Sequence, residues 1–193
     1  MSPLTLINVV LLWVVTLFAL LLTLGLVRKQ NTKNPPSLKV GQQAPNFTAE
    51  TLSGEVVTLS TYAGRSVAFL FTGPSCSICR EALPLYEDLG PKAARSGVEI
   101  VLVSVEDRDQ SAAFVKEFEI TLPVLIAPRE QNPFMENYKI PGTPSYCLVD
   151  PKGKVQSAGY PDAKRGEWKA LADSWGASDV IDSTANLLRS ERR

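Results

Sequence analysis

Histidine is absent from this chain, and cysteine occurs only three times, at positions 76, 79 and 147. Without histidine there can be no Ser–His or Cys–His nucleophilic pair and no His-ligated metal or haem. Three cysteines are too few for a disulfide-stapled scaffold, or for an all-cysteine zinc or iron–sulfur site within one chain. The sequence therefore predicts neither a metal nor a cofactor.

An excess of charge of either sign is also missing. The twenty basic and twenty acidic residues cancel. Nucleic-acid-binding domains carry a basic patch or stripe, so this balance gives no reason to expect nucleic acid as a partner.

One long segment lacks charge altogether. Residues 4–27 contain no charged side chain and consist mostly of Leu, Val, Ile, Phe and Trp. At about 1.5 Å per residue, this length is enough to cross a bilayer core of about 30 Å. A cleaved signal peptide is the alternative, but its apolar region is only about 7–15 residues long and follows basic residues. Met1-Ser2-Pro3 carries no basic side chain, which favours a single transmembrane helix over residues 4–27.

The rest of the chain has the length of one ordinary domain. Residues 28–40 are polar and include Pro35-Pro36, so they are interpreted as a linker to a domain over residues 41–193. Continuous apolar runs predict buried strands, and amphipathic stretches predict helices. The alternation of the two predicts an α/β fold with a central sheet and helices on both faces. The predicted elements are a hairpin over 47–59, strands over 66–71, 98–105 and 122–126, a second hairpin over 145–149 and 154–158, and helices over 76–95, 109–118, 133–138, 167–175 and 180–190.

The sequence Cys76-Ser77-Ile78-Cys79 follows a predicted strand and opens a predicted helix. At the first helical turn, unpaired N–H groups and the helix dipole favour a thiolate, which is the form that attacks a disulfide. The i, i+3 spacing places Cys79 on the same helix face, within reach of a mixed disulfide on Cys76. We therefore predict Cys76 as the attacking nucleophile and Cys79 as the resolving thiol.

Other uses of the pair are less well supported. A zinc site would need two more ligands, and attachment of c-type haem would need histidine where Arg80 stands. An inert structural disulfide closing so short a loop would constrain little of the unfolded chain.

Several further segments carry a resemblance to a known family. They are Val40 to Phe47, Pro84 five residues past Cys79, the strand 97–105, and the segment 142–155 with Gly142-Thr143-Pro144. Together with the cysteine pair, residues 40–175 resemble the thioredoxin superfamily. They are similar in particular to the membrane-anchored TlpA/ResA-like and MauD-like branch of the redoxin (AhpC/TSA-related) group.

The resemblance implies a thioredoxin-like fold with a central mixed sheet and an N-terminal β-hairpin extension. It implies that Pro144 is a cis-proline facing the cysteine pair, and that Thr143 and Pro144 contact the substrate. The activity it implies is thiol–disulfide exchange, with protein thiols and disulfides as substrates.

The sequence departs from the family pattern around the pair. Thioredoxin itself keeps a buried Asp where Leu70 stands, and some anchored reductases keep an acid where Ala82 stands. The aromatic residue that usually precedes the first cysteine is replaced by Ser75. The usual proton acceptor for Cys79 is thus missing or relocated, and the direction of the reaction and the reduction potential stay open.

Two other functions compete with disulfide exchange. The N-terminal segment is shared with peroxiredoxins, which would make the protein a thiol peroxidase with antioxidant activity through Cys76. Peroxiredoxins carry Thr three residues before that cysteine, whereas Gly73 stands there and Thr72 lies one residue too early. The other alternative is a tethered binding module without catalysis. Cys147 is interpreted as a buried, inert cysteine.

The side of the membrane on which the domain lies is predicted differently by charge and by resemblance. Arg28, Lys29 and Lys33 follow the apolar segment, which by the positive-inside rule puts the domain in the cytoplasm. Relatives act on the oxidising outer side. We expect a single-pass protein of the cell membrane with an extracytoplasmic domain. The sequence does not identify its redox partner protein.

Overall fold

The computed structural model of the chain describes residues 11–21, 23, 38–162 and 166–176. The chain divides into two compact units, residues 1–36 and residues 37–193. In the first unit, helix α1 covers residues 11–21. Of the helices described, none combines the length and the apolar character needed to cross a membrane. Half of the predicted span 4–27, most of the predicted linker and the whole predicted helix over 180–190 lie outside the described residues, so these stay predictions.

The second unit is built from strands and helices that alternate along the chain. Strand β3 and strand β4 are the longest strands, and each is followed by a helix. The elements are β1 (Thr48–Thr51), β2 (Val56–Thr58), a 3-10 helix (Leu59–Tyr62), β3 (Ser66–Thr72), α2 (Ser77–Arg95), β4 (Val98–Ser104), α3 (Arg108–Glu117), β5 (Val124–Ile126), α4 (Phe134–Asn137), β6 (Ser145–Val149), β7 (Val155–Gly159) and α5 (Gly166–Ser174).

The strands form one mixed sheet in the order β2-β1-β5-β4-β3-β6-β7. Strand β4 pairs in parallel with β3 and with β5, and the remaining neighbours are antiparallel. The two central strands are buried along nearly their whole length, which explains their unbroken apolar runs. Because side chains alternate between the two faces of a strand, each central strand contributes apolar side chains to both faces of the sheet.

Two apolar cores lie on opposite faces of this sheet. Phe69, Phe71 and Val101 point to the face that packs against Phe134 of α4. Their chain neighbours point to the other face, where α2, α3 and α5 pack through Leu83, Phe114 and Trp168 respectively.

The predicted fold class is confirmed for this unit: it is an α/β fold with a mixed central sheet and helices on both faces. Both predicted hairpins form, β1–β2 and β6–β7, with antiparallel pairing. Helix α2 contains Pro84 and also Pro91 without being interrupted. Element ends differ from the predicted ones by one or two residues, which is the usual uncertainty at fraying ends.

Candidate redox-active site

The turn between β3 and α2 places Cys76 at the start of a helix. Cys76 is the N-cap residue of α2, and its Sγ accepts a hydrogen bond from the Cys79 N–H at 3.2 Å. The backbone N–H of Cys76 donates to the Gly73 carbonyl oxygen at 3.1 Å, which closes the turn. The helix thus directs a free N–H group at the Cys76 sulfur, as its sequence position predicted.

Cys76 and Cys79 are joined by a disulfide, with their Cα atoms 5.2 Å apart. Cys79 is fully buried, whereas Cys76 is half-buried. Between them, Ile78 leaves 51% of its surface exposed. An incoming thiolate therefore meets the Cys76 sulfur first.

The start of strand β6 brings Thr143 and Pro144 to the same end of the sheet. Strand β6 is antiparallel to β3, with Ser145 opposite Phe71, so the residues before β6 lie next to the turn that follows β3. The Thr143–Pro144 peptide bond is cis, which confirms the geometry implied by the resemblance. Pro144 is buried, and Thr143 faces the same cleft as Cys76.

This cleft has a volume of about 670 Å³ and lies at the carboxyl ends of β3, β4 and β5. The carboxyl edge of parallel strands is where α/β folds place their ligand sites. Its walls come from the cysteine loop, from the segments after β4 and β5, and from Thr143. The lining residues with charged side chains are Glu106, Asp107, Arg129 and Glu130.

The carboxylate of Glu106 is held against the loop that carries Cys76. The Ser75 hydroxyl donates a hydrogen bond to Oε1 of Glu106, and the Glu106 side chain is half-buried. Sequence reasoning did not predict a role for Glu106. The available signal was its position just after a predicted buried strand, because the ligand sites of α/β folds lie at the carboxyl ends of such strands.

The positions where relatives carry acids are apolar here. Leu70 is buried, and Ala82 of α2 is partly buried and packs against the core. Glu81 is exposed on the same helix. Neither position 70 nor position 82 therefore supplies a carboxylate for Cys79.

Cys147 lies in β6, opposite Phe69 of β3, and is fully buried. Burial raises the pKa of the Cys147 thiol to about 12, since a buried thiolate would lose its hydration. At neutral pH this thiol stays protonated, and the prediction of a buried Cys147 is confirmed. Within the described residues, no group of three or more His, Cys, Asp or Glu side chains could hold a metal ion.

A seven-stranded mixed sheet, a cysteine pair at a helix N-terminus and a cis-proline beside that pair define a thioredoxin-like redox protein. The sequence model of the AhpC/TSA family matches residues 40–158. The chain therefore belongs to the AhpC/TSA family, within the broader redoxin group.

Curated relatives carry names that refer to thiol–disulfide chemistry. The thiol-disulfide oxidoreductase ResA of Bacillus thuringiensis subsp. konkukian is 30% identical over 119 residues, which is 61% of this chain and 68% of the relative. The ResA of Geobacillus thermodenitrificans is 31% identical over 121 residues, covering 62% and 68%. The thioredoxin-like protein YneN of Bacillus subtilis is 30% identical over 129 residues, covering 65% and 74%.

Solved structures agree with this placement. The thioredoxin domain of a thiol-disulfide oxidoreductase from Bacteroides vulgatus superimposes with a TM-score of 0.59 at 26% identity, covering 71% of this chain and 98% of that domain. A Chlorobium tepidum protein described as thiol:disulfide interchange protein DsbE superimposes with a TM-score of 0.60 at 26% identity, covering 77% and 99%.

Proposed function

We propose that this protein is a membrane-tethered thiol–disulfide oxidoreductase that exchanges disulfides with other proteins through Cys76 and Cys79. The observation that carries the proposal is the Cys76–Cys79 disulfide at the N-terminus of α2, with Cys76 facing an open cleft. The names of the relatives agree with this activity, and the buried Cys147 takes no part in it.

The exchange proceeds in two displacement steps. In the reduced protein, the Cys76 thiolate attacks one sulfur of a substrate disulfide, and the other substrate sulfur leaves as a thiolate that takes up a proton. The Cys79 thiolate then attacks the Cys76 sulfur of the mixed disulfide, which releases the second substrate thiol. The protein loses two electrons and the substrate gains two. The reverse sequence oxidises a substrate dithiol.

Cys76 and Cys79 take these unequal roles because their exposure differs. The half-buried Cys76 can reach a sulfur on another protein, whereas the buried Cys79 can reach only Cys76. We propose that an extended substrate segment lies in the cleft, where Thr143 faces the cysteine loop. Thr143 and Pro144 would then contact the substrate, as the resemblance implies.

Reduction of insulin disulfides by the dithiothreitol-reduced protein tests the proposal. We expect activity in the wild type and in Cys147→Ala, and loss of at least a hundredfold in Cys76→Ser. Cys79→Ser should accumulate a mixed disulfide between Cys76 and the substrate, visible on a non-reducing gel and by mass. Turnover that persists in Cys76→Ser would contradict the assignment.

The thiol-peroxidase alternative makes a different prediction. Gly73 lies three residues before Cys76, and Thr72 is buried in the sheet, so no threonine hydroxyl stands at the position that peroxiredoxins use. We expect slow peroxide consumption by the reduced protein. Fast consumption that depends on Cys76, without insulin reduction, would replace the proposed function by this one.

The tether is proposed from the uncharged segment 4–27, and the domain is proposed to lie outside the cytoplasm. An impermeant maleimide applied to intact, mildly reduced cells should label Cys76 of the Cys79→Ser variant. Cells expressing the Cys76→Ser, Cys79→Ser double variant are the control for unspecific labelling. Labelling only after lysis would contradict the extracytoplasmic location, and recovery of the chain in the soluble fraction would contradict the tether.

A further inference from the structure

The loop before Cys76 is fixed to the end of strand β4. The Val105 N–H donates to the Thr72 carbonyl oxygen at 3.0 Å, extending the β3–β4 pairing past the strand end. Gly73 is packed so closely here that a Cβ atom on it would lie 3.3 Å from Cγ of Glu106. The hydrogen bond from Ser75 to the Glu106 carboxylate completes this contact. The Glu106 carboxylate is therefore held against Ser75, the residue that directly precedes the nucleophile Cys76.

Several charged groups face Cys76 from the surrounding elements, and Glu106 differs from the others. The Asp107 carboxylate is exposed and caps α3 by accepting from the Gln110 N–H at 2.8 Å. Arg129 and Glu130 after β5 are exposed. On the helix of Cys76 itself, Arg80 pairs with Glu117 of α3, and the first turn contains no acidic residue. Of the charged residues described around the cleft, Glu106 combines partial burial with a hydrogen bond to the cysteine loop.

We propose that Glu106 tunes the redox pair: its negative charge disfavours the Cys76 thiolate and biases the pair toward acting as a reductant. This inference rests on the proposed function. A nearby like charge disfavours ionisation, so Glu106 opposes the effect of the α2 N-terminus. Stabilising the reduced form of such a pair makes it more oxidising, and a carboxylate that destabilises the thiolate acts in the opposite direction.

The variant Glu106→Gln tests the charge without removing the contact, because the Gln amide oxygen can still accept from Ser75. The readout is the rate of iodoacetamide alkylation of Cys76 in the reduced full-length protein, measured against pH and assigned by peptide mass. We expect the Cys76 pKa to fall by about one unit. At pH 7 alkylation should then be about threefold faster, since tenfold more thiolate is partly offset by its lower nucleophilicity.

A matched set of variants separates charge from structure. Glu106→Asp keeps the charge and should stay near the wild-type pKa. Glu55→Gln removes an exposed carboxylate from the β1–β2 hairpin, two strands beyond β4 in the sheet, and should leave the Cys76 pKa unchanged. In a glutathione redox buffer at pH 9, Glu106→Gln should contain more dithiol than the wild type.

Three results would overturn the inference: an unchanged or higher Cys76 pKa in Glu106→Gln, slower alkylation at pH 7, or less dithiol in the glutathione buffer. Slower alkylation would make Glu106 a proton acceptor instead. These readouts do not depend on a protein substrate. A wild type that reduces insulin while Glu106→Gln shows no shift contradicts only this inference, whereas a wild type without insulin reduction contradicts the proposed function.

Discussion

At the scale of single residues, the three cysteines have one chemistry and three environments. Cys76 is half-buried at a helix end, Cys79 is buried next to it, and Cys147 is buried in the sheet with its pKa raised to about 12. Because alkylation requires a thiolate and access, iodoacetamide at pH 8 should modify Cys76 in the reduced native protein and leave Cys147 unmodified. Intact mass before and after addition of urea checks this. Modification of Cys147 at the same rate without urea would contradict its burial.

The residues of the site differ in how far the sequence predicts them. Cys76 and Cys79 belong to a short motif whose spacing selects them, whereas Pro144 is selected by the resemblance to the thioredoxin superfamily. The contact between Ser75 and Glu106 joins two loops that are far apart in sequence. It depends on the parallel register of β3 and β4, in which Thr72 lies opposite Ser104. Hydrophobic periodicity predicts that both strands exist, but it does not determine their register, that is, which residues lie side by side in the sheet.

At the scale of elements, one arginine ties helix α3 to the first hairpin. The Arg108 guanidinium donates to the carbonyl oxygens of Thr51 at 2.9 Å and Leu52 at 2.5 Å, and it pairs with Glu50. We expect Arg108→Ala to lower the free energy of unfolding by roughly 1–2 kcal/mol, because two carbonyl groups lose a charged donor. Urea unfolding followed by circular dichroism measures this change.

Two companion variants identify the source of that loss. Arg108→Lys keeps the charge but not the planar fork, so it should recover only part of the stability. Glu50→Gln removes the ion pair alone, and because that pair is exposed it should cost less than about 1 kcal/mol. A Glu50→Gln variant as unstable as Arg108→Ala would show that the ion pair, not the carbonyl contacts, holds the hairpin.

Helix α5 is held to the sheet mainly by one aromatic side chain. Trp168 is 1% exposed and lies between Tyr86 of α2 and Tyr146 of β6, with ring centroids 6.3 and 4.7 Å away. Trp168→Ala should destabilise the protein by about 3–5 kcal/mol, the usual cost of removing a large buried aromatic group. Its buried Nε1–H has no hydrogen-bond partner, so Trp168→Phe should cost much less. Guanidinium unfolding compares the two, and equal losses would contradict a packing role.

At the scale of the whole molecule, the class of fold was predictable and the order of its strands was not. Alternating buried runs and amphipathic stretches predict a layered α/β domain whatever the pairing. The antiparallel contact of β1 with β5, in which Glu50 lies opposite Ile126, places the N-terminal hairpin beside the parallel strands. That contact joins segments separated by three strands, one 3-10 helix and two α-helices, and short strands of this kind carry little information about their partners.

Buried cysteine and tyrosine side chains stay protonated in the folded domain. Because of them, the stability of the whole domain should fall at alkaline pH. Burial raises the pKa of Cys147 and of Tyr62 to about 12, from ordinary values of 9.0 and 10.0. It also raises the pKa of Tyr86 and Tyr138 above the ordinary tyrosine value. In the unfolded chain these groups lose their protons at the ordinary values, whereas the folded domain retains them. Their contribution to stability is therefore complete below about pH 8 and is lost progressively as the pH rises toward 12.

The first part of this loss belongs to Cys147, since its ordinary pKa is the lowest of the four. With the Cys76–Cys79 pair oxidised, the free energy of unfolding should fall between pH 8 and pH 10, with about 1.4 kcal/mol of the fall due to Cys147. Cys147→Ala should be less stable at pH 7 because of the cavity it leaves, yet it should lose about 1.4 kcal/mol less over the same interval. Urea unfolding at pH 7, 8, 9 and 10 measures both curves. Parallel curves for the two proteins would mean that Cys147 ionises as readily in the folded domain as in the unfolded chain, which its complete burial in the sheet does not allow.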